Sequence, residues 1–220
     1  MKNNPLIFIA FMALALGVSC SKADSRSEIA DSADLVHPLL IGQSVPDVPF
    51  WTAEGKPVTL GKLAKQKPIV LVFYRGGWCP FCNHQLAELQ TIEKDLTKMG
   101  YQILAVSPEL PDKLASMKAD RALNYTLLSD FQIEGARAFG VAFRVENAIS
   151  SLIKTRYGSE LQRFKGESKA NLPVPAVFII DQEGVIQFSY VNPNYQVRLH
   201  PELLVAAAKV ALKDENVRLK

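Results

Sequence analysis

Two cysteines separated by two residues, in Gly76-Gly77-Trp78-Cys79-Pro80-Phe81-Cys82, are the side chains of this protein best suited to covalent chemistry. A cysteine reacts as the thiolate, and a helix N-terminus stabilises that anion with unpaired N–H groups and the positive end of its dipole. Such placement can lower a thiol pKa from ~8.5 to between ~3.5 and ~7.5. The two-residue spacing brings Cys82 under Cys79 across one helical turn, within reach of a disulfide. Pro80 suits a first helical turn, where its missing N–H would be unpaired anyway, and Gly76 and Gly77 permit a sharp turn before it. The expected chemistry is a dithiol–disulfide cycle between Cys79 and Cys82, with Cys79 at the helix tip as the more exposed sulfur and the nucleophile. The same pair could instead be half of a zinc site or an inert structural disulfide. None of His37, His84 and His200 lies at a spacing that completes four ligands, so no metal or other cofactor is expected. His84 reads as an exposed helix residue.

The elements that must position this pair follow an alternating pattern. Pro68 to Tyr74 is a continuous apolar run, as in a strand buried on both faces, and Tyr101 to Ser107 is a second. Between them Leu86, Leu89, Ile92, Leu96 and Met99 recur at helical spacing, with Gly100 closing the helix. Strand–helix–strand spacing of this kind calls for a right-handed crossover and a parallel pair. Pro111–Arg121 and Pro201–Leu212 read as further helices. Ala176 to Asp181 and Val185 to Val191, joined by Gln182-Glu183-Gly184, read as an antiparallel hairpin, and residues 49–60 as a smaller one around Gly55. Together these predict an α/β fold, a central mixed sheet with helices on both faces. Pro175 stands at the entry to a strand, where its missing N–H is tolerated, and a cis Val174–Pro175 bond is plausible there. Residues 142–172, with Arg144, Lys154, Arg156, Arg163, Lys165 and Lys169, fit this plan least and read as a partly helical insertion.

The whole chain has 220 residues, 48% hydrophobic and 21% charged, a globular composition that argues against disorder and coiled coil. Its 25 basic and 22 acidic residues leave a net charge of +3 with no clustered basic stretch, which excludes a nucleic-acid footprint. Residues 1–19 carry Lys2 and the apolar run Pro5 to Val18, too short to span a membrane and matching a secretory signal. The run ends Leu16-Gly17-Val18-Ser19-Cys20, which resembles a bacterial lipobox except at Gly17; Cys20 is then the lipid anchor. An ordinary cut after Ala23 and a retained anchor are the alternatives. Each places the folded part outside the cytoplasm, on the periplasmic or cell-envelope side, where free cysteines serve bonding or chemistry. Residues 20–40 read as a tether and 41–220 as the folded domain.

The stretch Phe73 to Cys82, with Pro175-Ala176-Val177-Phe178-Ile179-Ile180-Asp181, resembles the thioredoxin-fold superfamily. Within it the chain is most similar to the peroxiredoxin-like members of the alkyl hydroperoxide reductase/thiol-specific antioxidant family. The likeness runs from about Ile41 to Leu212 and includes Leu127-Leu128-Ser129-Asp130 and Ala138-Phe139-Gly140. It implies a thioredoxin-like fold, a cysteine-based peroxidase or disulfide-exchange activity, and Pro175 as a cis-proline facing the cysteines. In the peroxiredoxin pattern P-x-x-x-T-x-x-C, Arg75 falls on the proline, Cys79 on the threonine and Cys82 on the peroxidatic cysteine. That register makes Cys82 the nucleophile, against the helix-tip reading. The arginine often found before the F-x-I-D strand is replaced by Val174-Pro175. The leading expectation is a thiol peroxidase acting on hydrogen peroxide or organic hydroperoxides, recharged by a thioredoxin-like dithiol. Arg75, Trp78 and Pro175 are the expected supporting residues, Arg75 holding the thiolate ionised. An exported, membrane-tethered thiol–disulfide oxidoreductase is the second reading, and a binding module stapled by its C-x-x-C the third.

Overall fold

A computed structural model describes residues 28–213; the expected signal segment and Cys20 lie outside the described residues. In chain order the elements are β1 (Pro49–Thr52), β2 (Pro57–Thr59), α1 (Leu60–Ala64), β3 (Ile69–Phe73), α2 (Pro80–Lys98), β4 (Gln102–Ser107), α3 (Pro111–Arg121), β5 (Thr126–Ser129), α4 (Glu134–Ala138), β6 (Ala142–Val145), α5 (Asn147–Tyr157), β7 (Ala170–Pro173), β8 (Ala176–Ile180), β9 (Ile186–Val191) and α6 (Pro201–Lys213).

Seven strands form one sheet in the order β2-β1-β5-β4-β3-β8-β9. The β3–β4 and β4–β5 pairs are parallel, joined through α2 and α3, while β8 and β9 run antiparallel on the other side of β3. The sheet is therefore mixed, and β3, which leads into the cysteines, lies inside it. All five residues of β3 are buried because both of its faces are covered. Alternation along β3 divides the core in two. Ile69, Leu71 and Phe73 join Phe139 and Phe178 on the α1/α4 side. Val70, Val72 and Tyr74 join Leu86, Leu89 and Leu96 of α2, Leu114 of α3 and Leu204 of α6 on the other. This is the expected thioredoxin-like α/β fold with helices on both faces.

Three features depart from the pattern read in the sequence. The Val174–Pro175 bond is trans, as are all peptide bonds of the described residues. Val174 donates its N–H to the Val141 carbonyl at 2.9 Å and Pro175 accepts from the Asn192 N–H at 3.1 Å, so the strand is entered in extended geometry with both groups satisfied. The described part of the expected tether, residues 28–40, is packed chain: Ile29 and Leu39 are buried, and Ala30 bridges Phe143. Residues 142–173 form a separate small unit, the antiparallel β6–β7 pair with α5 between its strands, around a core of Val145, Ile153, Leu161, Ala170 and Leu172. Within it Arg144 pairs with Glu167 at 2.6 Å, and the same guanidinium ties the unit to Asp31 at 2.9 Å.

The close approach of residues 37–38 to the turn after α4 requires a glycine. Gly140 has φ +67°, and a Cβ there would lie 2.0 Å from the His37 carbonyl oxygen. Gly140→Ala is expected to lower unfolding stability by ~2 kcal/mol or more in chemical denaturation, since both backbone strain and a clash against main chain oppose it.

Candidate active site

The turn from β3 into α2 is built to hold two sulfurs at a helix end. Tyr74 extends the β3 ladder by donating to the Val106 carbonyl at 2.9 Å. Gly76 then takes φ +147°, and a Cβ at that position would meet the Trp78 indole nitrogen at 2.4 Å. The Gly77 N–H donates to Glu109 Oε2 at 2.8 Å, and the Gly77 carbonyl accepts from Asn83 Nδ2 at 2.9 Å. Glu109 comes from the loop after β4, and burial pushes its carboxyl pKa up. Pro80 occupies the first turn of α2 and Cys79 is the residue before it, in extended conformation.

Both cysteines are free thiols. Cys79 is 1% exposed and Cys82 0%, so the expected contrast in exposure is absent: Trp78 packs against the cluster that holds both sulfurs, and Arg198 and Tyr195 of the loop between β9 and α6 reach Cys82 and Phe81. What separates the two sulfurs is the hydrogen bond between them. Cys79 is held down to a pKa of about 6 first by the Cys82 thiol donating to it, then by the Cys82 backbone N–H, with Arg75 and Arg198 adding charge stabilisation against the cost of burial. Cys82 is pushed the other way by its burial and by the same hydrogen bond. The arrangement stores one proton on Cys82 and leaves Cys79 as the anion.

Two guanidinium groups stand beside the pair. Arg75 is only 9% exposed. Its guanidinium carbon lies 5.0 Å from the Trp78 ring centroid and 4.3 Å from that of Tyr195, a desolvated cation between two π faces. Trp78 in turn packs against Tyr157 at 5.7 Å, at the end of α5, and against the small core of the β6–α5–β7 unit. The insertion thus buttresses the aromatic wall beside the cysteines. Tyr195 also meets Phe81 edge-on at 5.7 Å. Arg198, from the same loop, places Nη2 3.4 Å from Cys82 Sγ and Nη1 3.1 Å from Gln85 Oε1.

The expected residues Cys79, Cys82, Arg75 and Trp78 come together. Pro175 is buried in the wall of an open cleft of about 350 Å³, alongside Arg75, Tyr195, Phe143 and Val174, but with a trans bond. His84 is on the solvent face of α2, 3.3 Å from Glu88. Arg198, Tyr195, Gln85 and Glu109 escaped the sequence reading. Glu109, Tyr195 and Arg198 lie 32 or more residues from Gly77, where no local spacing connects them to the cysteines, and Gln85, one turn of α2 beyond Cys82, is a polar residue whose partner comes from the distant loop. Among the described residues no group of three His, Cys, Asp or Glu side chains is gathered as metal ligands.

Known proteins resemble this chain in sequence and in fold. Residues 41–189 match the AhpC/TSA family. The chain belongs to that family. A peroxiredoxin bcp protein of Haemophilus influenzae is 32% identical over 106 residues, covering 48% of this chain and 68% of that one. The peroxiredoxin Bcp of Escherichia coli is 30% identical over 106 residues, covering 48% and 67%. In fold, the crystal structure of peroxidoxin BcpB from Mycobacterium tuberculosis superposes with a TM-score of 0.60 at 21% identity, covering 77% of this chain and 96% of that one. This AhpC/TSA chain is an oxidoreductase of the thiol peroxidase kind, and its relatives do not favour protein disulfide exchange as the activity.

The proton arrangement between the sulfurs has a spectroscopic consequence. In the reduced protein, ultraviolet thiolate absorbance should rise through a midpoint near 6 as pH increases. Cys82→Ala should move that midpoint upward, because it removes the thiol that donates to Cys79. A wild-type midpoint close to the ~8.5 of an ordinary thiol would show that the pair is not organised this way.

Proposed function

We propose that this protein reduces hydroperoxides with Cys79 as the attacking thiolate and Cys82 as the resolving thiol. The observation that carries the reading is the asymmetric pair: the sulfur at the head of α2 receives hydrogen bonds from the Cys82 thiol and amide and bears the lowered pKa. The Cys79 thiolate attacks the terminal oxygen of R–O–OH, the O–O bond breaks, Cys79 becomes a sulfenic acid and the alkoxide leaves as R–OH with a proton. Cys82 then displaces the sulfenic hydroxyl as water and forms the Cys79–Cys82 disulfide. A dithiol protein of the thioredoxin kind returns two electrons through a mixed disulfide.

Arg75 supports the first step. A cation held out of water beside Cys79 favours both the thiolate and the negative charge that develops on the peroxide oxygens. The cleft beside Arg75 gives an organic hydroperoxide room for its substituent. Because Cys79 is 1% exposed, substrate entry takes a local displacement of the covering side chains. The peroxiredoxin register assigns the attack to Cys82, but burial and the hydrogen bond to Cys79 push the Cys82 thiol up, so the helix-tip assignment is preferred.

The sequence before the fold supports an exported, membrane-anchored form with lipid on Cys20. Only residues 21–28 separate Cys20 from Ile29, which is buried in the core. Eight residues span at most roughly 29 Å fully extended, so an anchored domain would stay close to the bilayer surface. Cys20→Ala should abolish incorporation of a labelled fatty acid and release the protein from the membrane fraction; an unchanged distribution counts against the anchor.

For the chemistry, wild type treated with one equivalent of peroxide should yield the Cys79–Cys82 disulfide by mass spectrometry. Cys79→Ser should lose turnover by at least roughly a thousandfold, as expected for removal of a nucleophile. Cys82→Ser should complete one reduction and stop as a sulfenic acid that an external thiol can rescue. The opposite pattern, with sulfenic acid trapped on Cys82, would reverse the assignment.

A further inference from the structure

Resting on the peroxidase reading above, we infer that Arg198 is a catalytic residue of the disulfide-forming step, stabilising the Cys82 sulfur as it becomes the attacking thiolate. Cys82 is fully buried, packed in the apolar cluster with Val72, Leu86 and Val177. An anion formed there receives no help from solvent, and burial without a counter-charge would hold it protonated. Three titratable or charged side chains face this sulfur, the Cys79 thiol, the Tyr74 phenol and Arg198, and the Arg75 backbone N–H donates to it. Tyr74 offers no positive charge, and the Arg75 guanidinium is taken up between the rings of Trp78 and Tyr195. The side-chain cation in hydrogen-bond contact with Cys82 is Arg198, with Nη2 3.4 Å from Sγ.

This contact is built rather than incidental. Nη1 of Arg198 donates to the buried Gln85 Oε1 at 3.1 Å, one turn along α2 from Cys82, and the adjacent Leu199 is anchored in the core. Arg198 forms no carboxylate ion pair among the described residues, so its charge is not neutralised by a neighbour. In the reduced resting state Cys82 keeps its proton and donates it toward Cys79. Once Cys79 is oxidised that partner is gone, and Cys82 must act as a nucleophile. The step is Cys79–SOH plus Cys82–SH giving the Cys79–Cys82 disulfide and water: the S–O bond breaks, the S–S bond forms, and the Cys82 proton leaves with the hydroxide. Arg198 lowers the barrier by pairing with the negative charge on Cys82 before the S–S bond closes. It has the same effect in reverse, when reductant attack on Cys79 expels Cys82 as the leaving thiolate.

Rapid-quench experiments on the full chain separate the two steps, using hydrogen peroxide and dimedone to trap sulfenic acid and mass spectrometry to count adduct and disulfide. Arg198→Gln should slow disulfide formation by roughly tenfold to a hundredfold, the range spanned by a hydrogen bond to a charged group, and sulfenic acid formation by a clearly smaller factor, since Arg198 is the weakest of the groups that lower Cys79. Dimedone adduct and overoxidation to sulfinic acid should rise accordingly. Arg198→Lys, which keeps the charge, should recover part of the lost rate. Gln85→Leu, which removes the group holding the guanidinium, should slow the same step to a smaller degree and keeps the test open if Arg198→Gln does not fold. Disulfide formation at the wild-type rate in folded Arg198→Gln, an equal slowing of both steps, or no recovery with lysine would each overturn the role. A wild type that forms no sulfenic acid on either cysteine would instead overturn the peroxidase reading on which it stands.

Discussion

One proton shared unequally between two sulfurs is the constraint around which this molecule is arranged. A thiolate in a protein interior is expensive, and here several donors offset that cost together: the Cys82 thiol, the Cys82 backbone amide at the start of α2, and two guanidinium charges. The hydrogen bond that lowers Cys79 raises Cys82, so the pair is differentiated before any substrate arrives. That differentiation depends on the helix starting where it does. The start is set by the all-buried strand β3 behind it, by a Gly76 conformation unfavourable to other residues, and by Glu109 and Asn83 fastening the Gly77 peptide from two sides.

The surroundings of the sulfurs come from parts of the chain that share no local logic. Trp78 belongs to the cysteine turn, but its far side rests on Tyr157 of α5 and on the small core of the β6–α5–β7 unit. Tyr195 and Arg198 arrive from the loop between β9 and α6, and that loop is brought back over α2 by the packing of α6 beside it. The cation–π sandwich around Arg75 therefore joins three distant segments. A basic, partly helical stretch that looked like an appendage in sequence becomes one wall of the site. Its most prominent charge, Arg144, pairs with Glu167 inside the unit and fastens the unit to Asp31.

Much of the fold was legible from periodicity alone. The apolar run of β3, the helical spacing of α2, the Pro-led starts of α3 and α6 and the Gly184 turn between β8 and β9 all have strong local signals. Apart from the β1–β2 hairpin, which the Gly55 turn marks, the short elements were not legible. The five-residue helices α1 and α4 and the four-residue strands β5, β6 and β7 carry too few residues for a period to show, and tertiary packing stabilises them. The trans bond before Pro175 overrode an expectation from the resemblance, because neighbouring strands supply partners to both flanking groups in the extended form.

By itself the sequence determined that two cysteines sit one helical turn apart at the end of a buried strand, since strand, turn and helix signals are all local and contiguous from Pro68 to Gly100. It also determined that Arg75 and Trp78 flank them, as immediate neighbours must. Which sulfur holds the proton, and which charges face it, was decided only by the tertiary structure. Burial, and the arrival of Arg198 from more than a hundred residues away, are properties of the packed chain, and the energy of an ion in a low-dielectric interior depends on every group around it rather than on its neighbours in sequence.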